Sequence, residues 1–266
     1  MNGLLRSIAR RAYHLYGRTF YPRFYELKAR TNGMLNAMVY RRMYLEARAL
    51  PDLDVVEIGG AAGAGSVSLA LGLKESGKRA GLIVVEKLEG GSRATYGSYD
   101  HNLEKIQRSF REFGVQDTVR LFPHEITLEN GKDVLAMIGT PELSAFIHDA
   151  DGRVDRDFAL FWPRLRSGGL IIVDDYANTP HFKPVSERNP LGGMKSVLTF
   201  RLLNQMIEWG LFRPTRTMGN TIFGIKPAGV DFSRFDPTVC ARITAALERE
   251  RDEFLARQTP SPQSAV

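Results

Sequence analysis

Beyond residue 51 the chain alternates short apolar runs with segments of helical period, and that alternation leaves few folds open. The runs Val55–Ile58, Gly81–Val85, Thr118–Phe122, Ala145–His148 and Leu170–Val173 predict strands. Helices are expected between them, over about Ser66–Ser76, Tyr99–Phe113, Gly131–Ile138 and Asp155–Leu165. A run such as Leu170-Ile171-Ile172-Val173 has no polar face, which suits a strand covered on both sides in a mainly parallel sheet. After a Pro- and Gly-rich stretch, Ala177–Met194, a helix is expected over Val197–Trp209. Leu211–Arg216 and Thr221–Ile225, joined through Gly219-Asn220, read as an antiparallel hairpin. Asp236-Pro237 supplies the N-cap and first-turn proline of a last helix to about Ala256. The expected fold is therefore α/β: a doubly wound, mainly parallel, seven-stranded Rossmann-like sheet with a C-terminal antiparallel hairpin, preceded by N-terminal helices.

Residues 1–50 read as a basic helical extension, 51–230 as the sheet domain, 231–257 as a C-terminal helix and 258–266 as a disordered tail. The net charge of +6 is unevenly spread. The first 50 residues hold ten lysines and arginines against Glu26 and Glu46, so that segment is +8 and the rest is −2. A near-neutral sheet domain has no basic groove for phosphates, which argues against nucleic acid. Leu4, Leu5, Ile8, Ala12, Leu15 and Tyr16 recur at helical spacing with arginines between them, a stripe suited to packing on a domain, to an oligomer contact or to a membrane surface. With no apolar run of spanning length and a single cysteine, Cys240, the expectation is a cytoplasmic protein without disulfides.

The densest chemical signal is Val55-Val56-Glu57-Ile58-Gly59-Gly60-Ala61-Ala62-Gly63-Ala64-Gly65-Ser66, a strand running through small residues into a helix. Small side chains let backbone N–H groups approach a ligand at the carboxyl end of a strand. Glu57, Gly59, Gly60, Ala61, Gly63 and Ser66 are the ligand contacts this predicts. Glu86, closing the second strand, can accept both ribose hydroxyl protons of an adenosine. These two features suit a nicotinamide dinucleotide as well.

The ends of strands four and five narrow the choice. They read Phe146-Ile147-His148-Asp149-Ala150-Asp151 and, after Gly168-Gly169, Leu170-Ile171-Ile172-Val173-Asp174-Asp175-Tyr176. With the Glu-Ile-Gly loop and Glu86, these motifs make the chain resemble S-adenosylmethionine-dependent class I methyltransferases. The likeness, over roughly Met34 to Ile225, is to the small-molecule O-methyltransferase family that includes the macrocin-type and other antibiotic-sugar enzymes. The resemblance implies S-adenosylmethionine as cofactor, a small-molecule or sugar hydroxyl as acceptor, and Glu125 near the adenine. It also implies a Mg²⁺ ion on Asp149, Asp174 and Asp175, with Asp149 next to the cofactor too and Asp151 as general base. Physically, three carboxylates at adjacent strand ends repel one another unless a cation joins them, and oxygen-only ligands favour Mg²⁺. The family pattern Ile-Asp-Gly-Asp, followed by a histidine and an aromatic, is replaced here by His148-Asp149-Ala150-Asp151-Gly152-Arg153. His181, in the loop after Asp175, is the alternative base, and the loop Ala177–Met194 is long enough to form a lid.

Two rival readings stay open at this point. A short-chain dehydrogenase would share the Gly59, Gly63 and Gly65 spacing but needs a Tyr-x-x-x-Lys, and Tyr96, Tyr99 and Tyr176 each lack the lysine. A methyltransferase-like fold without catalysis, serving as a partner-binding or membrane-surface protein, would account for the altered acidic motif.

Overall fold

The computed structural model describes residue 12 and residues 15–89, 97–187 and 189–258. The apolar stripe before residue 12 and the tail beyond residue 258 lie outside the described residues. Seven strands form one sheet in the order β3-β2-β1-β4-β5-β7-β6. They are β1 (Val55–Ile58), β2 (Leu82–Val85), β3 (Val119–Phe122), β4 (Leu143–His148), β5 (Leu165–Val173), β6 (Arg213–Met218) and β7 (Thr221–Ile225). The first five are parallel; β7 joins β5 antiparallel and β6 returns antiparallel to β7. The strand order reverses between β1 and β4, the place where open α/β sheets open a crevice at their carboxyl ends.

Alternate residues of each strand feed two cores. Val55, Val84, Ala145, Ile147 and Ile172 face a layer built by helices α1 (Pro22–Arg30), α2 (Ala37–Ala49), α3 (Ala64–Glu75) and α4 (Tyr99–Glu112). Val56, Ile83, Phe146, Ile171 and Val173 face the other layer, of α5 (Gly131–Ala136), α6 (Val154–Phe161), α7 (Lys195–Glu208) and α8 (Pro237–Gln258). The same parity sends Glu57 toward α3 and His148 toward α6. Helix α3 is buried nearly all round because α2 closes over it. Gly72 makes that approach possible, since a Cβ there would stand 2.5 Å from the Tyr44 carbonyl oxygen and 2.7 Å from Ala47 Cβ. Leu27, Met43 and Ala47, from the segment expected as an extension, therefore sit in the same core as the sheet.

Several boundaries differ from expectation. Helix α6 stops at Phe161 because Pro163 cannot continue it, and β5 begins early, at Leu165. Strand β6 starts at Arg213, since Leu211 and Phe212 are buried ahead of it rather than in the ladder. Gly219, at φ 64°, leads the β6–β7 turn, as a tight hairpin requires. No helix among the described residues is long and apolar enough to cross a membrane. Leu15, Tyr16 and Phe20 are exposed.

Candidate active site

The parallel ladder continues past the strands and brings their ends level. Gly59 N–H donates to the Val85 carbonyl, Asp149 N–H to Ile58 and Asp174 N–H to His148. At the reversal point β1 and β4 nearly touch. Gly59 has φ 95°, and a Cβ on it would lie 2.2 Å from the Asp149 carbonyl oxygen. Gly60 is equally closed, 2.5 Å from Val84 Cγ1, and Gly65 leaves room for the Glu57 carboxylate. The glycine-rich loop is thus required by its neighbours as well as by any ligand.

Glu57 is buried, and its carboxylate accepts from the Ser66 hydroxyl. Burial pushes its carboxyl up to about 8, with the charge of Glu86 adding to the shift and Ser66 opposing it. Because the folded value lies above the ordinary 4.5, this group's stabilising contribution is complete below about pH 4.5 and is lost as pH rises through about 8. Glu57→Gln should remove that loss. At pH 9 the variant is expected to be more stable than the parent by roughly 3–5 kcal/mol, and equal to it at pH 4.5, as urea midpoints would measure. A parent whose stability does not fall over that window would refute the assignment.

Glu86 accepts the Ala61 N–H at 2.6 Å, and Ala61 reaches it by adopting φ 46°. Its carboxyl is raised by burial, against the two backbone N–H groups. Beyond it a cleft of about 530 Å³ is lined by Lys87, Tyr99, His124 and Glu125, where Glu125 pairs with Lys87 at 3.1 Å. These features fit an adenosine. The small-residue cradle stands at the strand end, with a buried carboxylate beside it and an open cleft alongside.

Across the reversal point a second cleft, of about 630 Å³, is walled by Met34, Leu35, Val39 and Met218 and floored by Asp149, Asp174 and Asp175. Asp149 also lines the inner pocket beside Gly59, Gly60, Glu57 and Tyr40. Burial raises its carboxyl well above the ordinary carboxylate range; Lys195 opposes that shift, and Asp174, Asp175 and Glu57 add to it. Asp174, also raised mainly by burial, accepts from the Thr221 hydroxyl. Asp175, two residues past the end of β5, adopts φ 57°.

Oxygens of the three aspartates lie within 4.8 Å of one another, close enough to share one ion. However, the Lys195 ammonium stands 2.6 Å from Asp175 and 3.6 Å from Asp149. A divalent ion held by the same carboxylates would sit against that charge. With Lys195 between them, these carboxylates do not fit a metal.

The two expected bases are not brought to this floor. Asp151 is paired through both oxygens with Arg156, at 2.7 and 3.2 Å, which with the field of His148 holds its carboxyl down to about 2 despite burial. A carboxylate so stabilised is a poor proton acceptor. His181 is exposed and is not among the residues lining the cleft, and its carbonyl packs under Gly193. The loop expected as a lid is pinned: Lys183 N–H donates to Gly192, and Phe182 meets Phe254 of α8 at 5.6 Å.

Sequence reasoning overlooked Lys195, Thr221, Tyr40 and the buried pair His148–Asp157, whose 2.6 Å contact continues through Arg156 to Asp151. One local signal for Lys195 existed. It is the first residue of a helix with no acid in its first turn and no side-chain cap, a position the helix dipole disfavours for a cation.

Residues 56–176 match a family described as a methyltransferase domain. No curated protein sequence matches the chain. Among solved structures, cofactor-bound Rv0187 from MTB is 18% identical with a TM-score of 0.58, covering 81% of this chain and 95% of its own. The O-methyltransferase TomG from Streptomyces achromogenes, involved in tomaymycin synthesis and solved with SAM, is 17% identical with a TM-score of 0.58, over 80% and 95%. An O-methyltransferase from Bacillus cereus in complex with SAH is 14% identical with a TM-score of 0.58, over 81% and 97%. These likenesses show the fold.

Proposed function

We propose, for a chain that over residues 56–176 is a class I S-adenosylmethionine-dependent methyltransferase, that the methyl group goes to a hydroxyl oxygen of a small molecule, a sugar or a similar hydroxylated compound. One observation carries the reading: Asp149 lines both the inner pocket beside the glycine-rich loop and the outer cleft. A hydroxyl entering the cleft meets a carboxylate at the junction with the cofactor pocket. That two of the similar structures are O-methyltransferases supports oxygen as the acceptor. The buried single thiol, with no disulfide to protect, suits work in the cytoplasm.

The bound cofactor supplies a methyl group already activated by its sulfonium. The rest of the chemistry falls to the chain. Glu86 exchanges the Ala61 N–H for the ribose hydroxyls, and the small residues from Gly59 to Gly65 admit the ligand to the strand end. Met34, Leu35, Val39 and Met218 hold the acceptor's apolar body and exclude water, while Asn36 and Asn220 offer hydrogen bonds at the rim. Asp149 takes the acceptor's proton, a role its burial favours by making the carboxylate more basic. Lys195 holds Asp149 and Asp175 in place, and much of the rate comes from proximity.

Calorimetry with S-adenosylmethionine tests the cofactor half of the reading. Glu86→Ala should weaken binding by roughly 1–3 kcal/mol, the cost of leaving buried partners unpaired. Unchanged affinity would place the cofactor elsewhere. Transfer of labelled methyl to hydroxylated acceptors, with the product an ether, tests the acceptor half.

A further inference from the structure

We propose that Lys195 is the site's built-in cation: its ammonium takes, between Asp149 and Asp175, the place a divalent metal would need, and the chain binds no metal there. The location rests on the methyltransferase reading, but the inference concerns charge and its test needs no acceptor.

Two neighbouring parallel strands, β4 and β5, end on three carboxylates that repel one another unless a positive charge joins them. Each of the three already has its partner. Asp175 and Asp149 face the Lys195 ammonium at 2.6 and 3.6 Å, and Asp174 accepts from Thr221. One oxygen of each carboxylate thus faces a partner supplied by the chain itself.

The lysine is also held in this position by backbone as well as charge. It opens α7, where the helix dipole opposes a cation and no side-chain cap or first-turn acid offsets it, so local preference does not account for it. The two aspartates do. Gly152, at φ 82°, seats the turn after β4 against the first turn of α7. A Cβ there would come within 2.9 Å of the Lys195 carbonyl oxygen, which also accepts from the Thr199 hydroxyl at 3.0 Å. The strand end and the lysine are thereby registered to each other, and the ammonium is not a surface charge that has folded over by chance.

Titration of the full chain with Mn²⁺ alone, followed by electron paramagnetic resonance, tests the idea. The parent should show no saturable site that depends on Asp174. Lys195→Met should gain one Mn²⁺ site at least about tenfold tighter than anything in the parent, since the repulsion is gone. Adding Asp174→Asn should remove that site, while Lys195→Arg, which keeps the charge, should gain none. A parent that binds one Mn²⁺ stoichiometrically and loses it on Asp174→Asn would overturn the proposal. So would a folded Lys195→Met protein that binds no better than the parent. Should Lys195→Met fail to fold by circular dichroism, the parent, Asp174→Asn and Lys195→Arg titrations still decide.

Discussion

Gly59→Ala is expected to abolish S-adenosylmethionine binding and to destabilise the fold by at least about 3 kcal/mol, the combined cost of a left-handed residue and a buried clash. The new methyl group would lie 2.2 Å from the Asp149 carbonyl oxygen, so β1 and β4 must part where the cofactor loop begins. Both the cradle and the Asp149 side chain would move with them. Gly77→Ala is the control. It shares a positive φ, 73°, but has nothing within 4 Å of the added carbon, so it should cost only about 1–2 kcal/mol and leave binding intact. Thermal denaturation and calorimetry on both variants give the answer; a Gly59→Ala protein that melts and binds like its parent would remove the close approach from the account.

Asp149→Asn is expected to lower the rate of methyl transfer by about 10²–10⁴-fold, the range for a lost general base, with cofactor affinity little changed. Asparagine keeps the shape and can still meet Lys195, but it cannot take a proton. The loss should therefore appear in single-turnover kinetics at saturating cofactor and acceptor. Asp151→Asn supplies the contrast, because its carboxylate is already committed to Arg156. A larger rate loss at Asp151 than at Asp149 would return the base to the position the family resemblance implies.

Much of the sheet was legible because its strands are covered on both faces, which leaves a run such as Leu82-Ile83-Val84-Val85 no other place in the fold. Edges were less legible. Leu211 and Phe212 look like strand residues, yet they are packed against the core before the ladder starts, and apolar character alone does not separate the two cases. The glycine-rich loop, Glu86 and the aspartates were readable since each directly follows a strand, and parallel strands deliver their ends to one side. Lys195 was not, because it reaches the same place from the far end of a long loop, and no local pattern reports where such a loop returns. The pairing of Asp151 with Arg156 was not legible either, because Arg156 stands five residues on, across the start of α6, outside the spacings at which helical pairs are ordinarily sought.

The covering of α3 by α2 has a consequence for how this site can change. Tyr40 and Met43 line the inner pocket and belong to the core, and Val39 does the same for the outer cleft. A substitution at any of them alters the site and the packing together, so stability limits which variants survive there. Met34, Asn36, Met218 and Asn220 edge the same cleft without belonging to the buried core. Asn36 also caps α2 by accepting the Met38 N–H, so acceptor preference can drift at less cost to folding at Met34, Met218 and Asn220, and a library aimed at new acceptors should begin with those three.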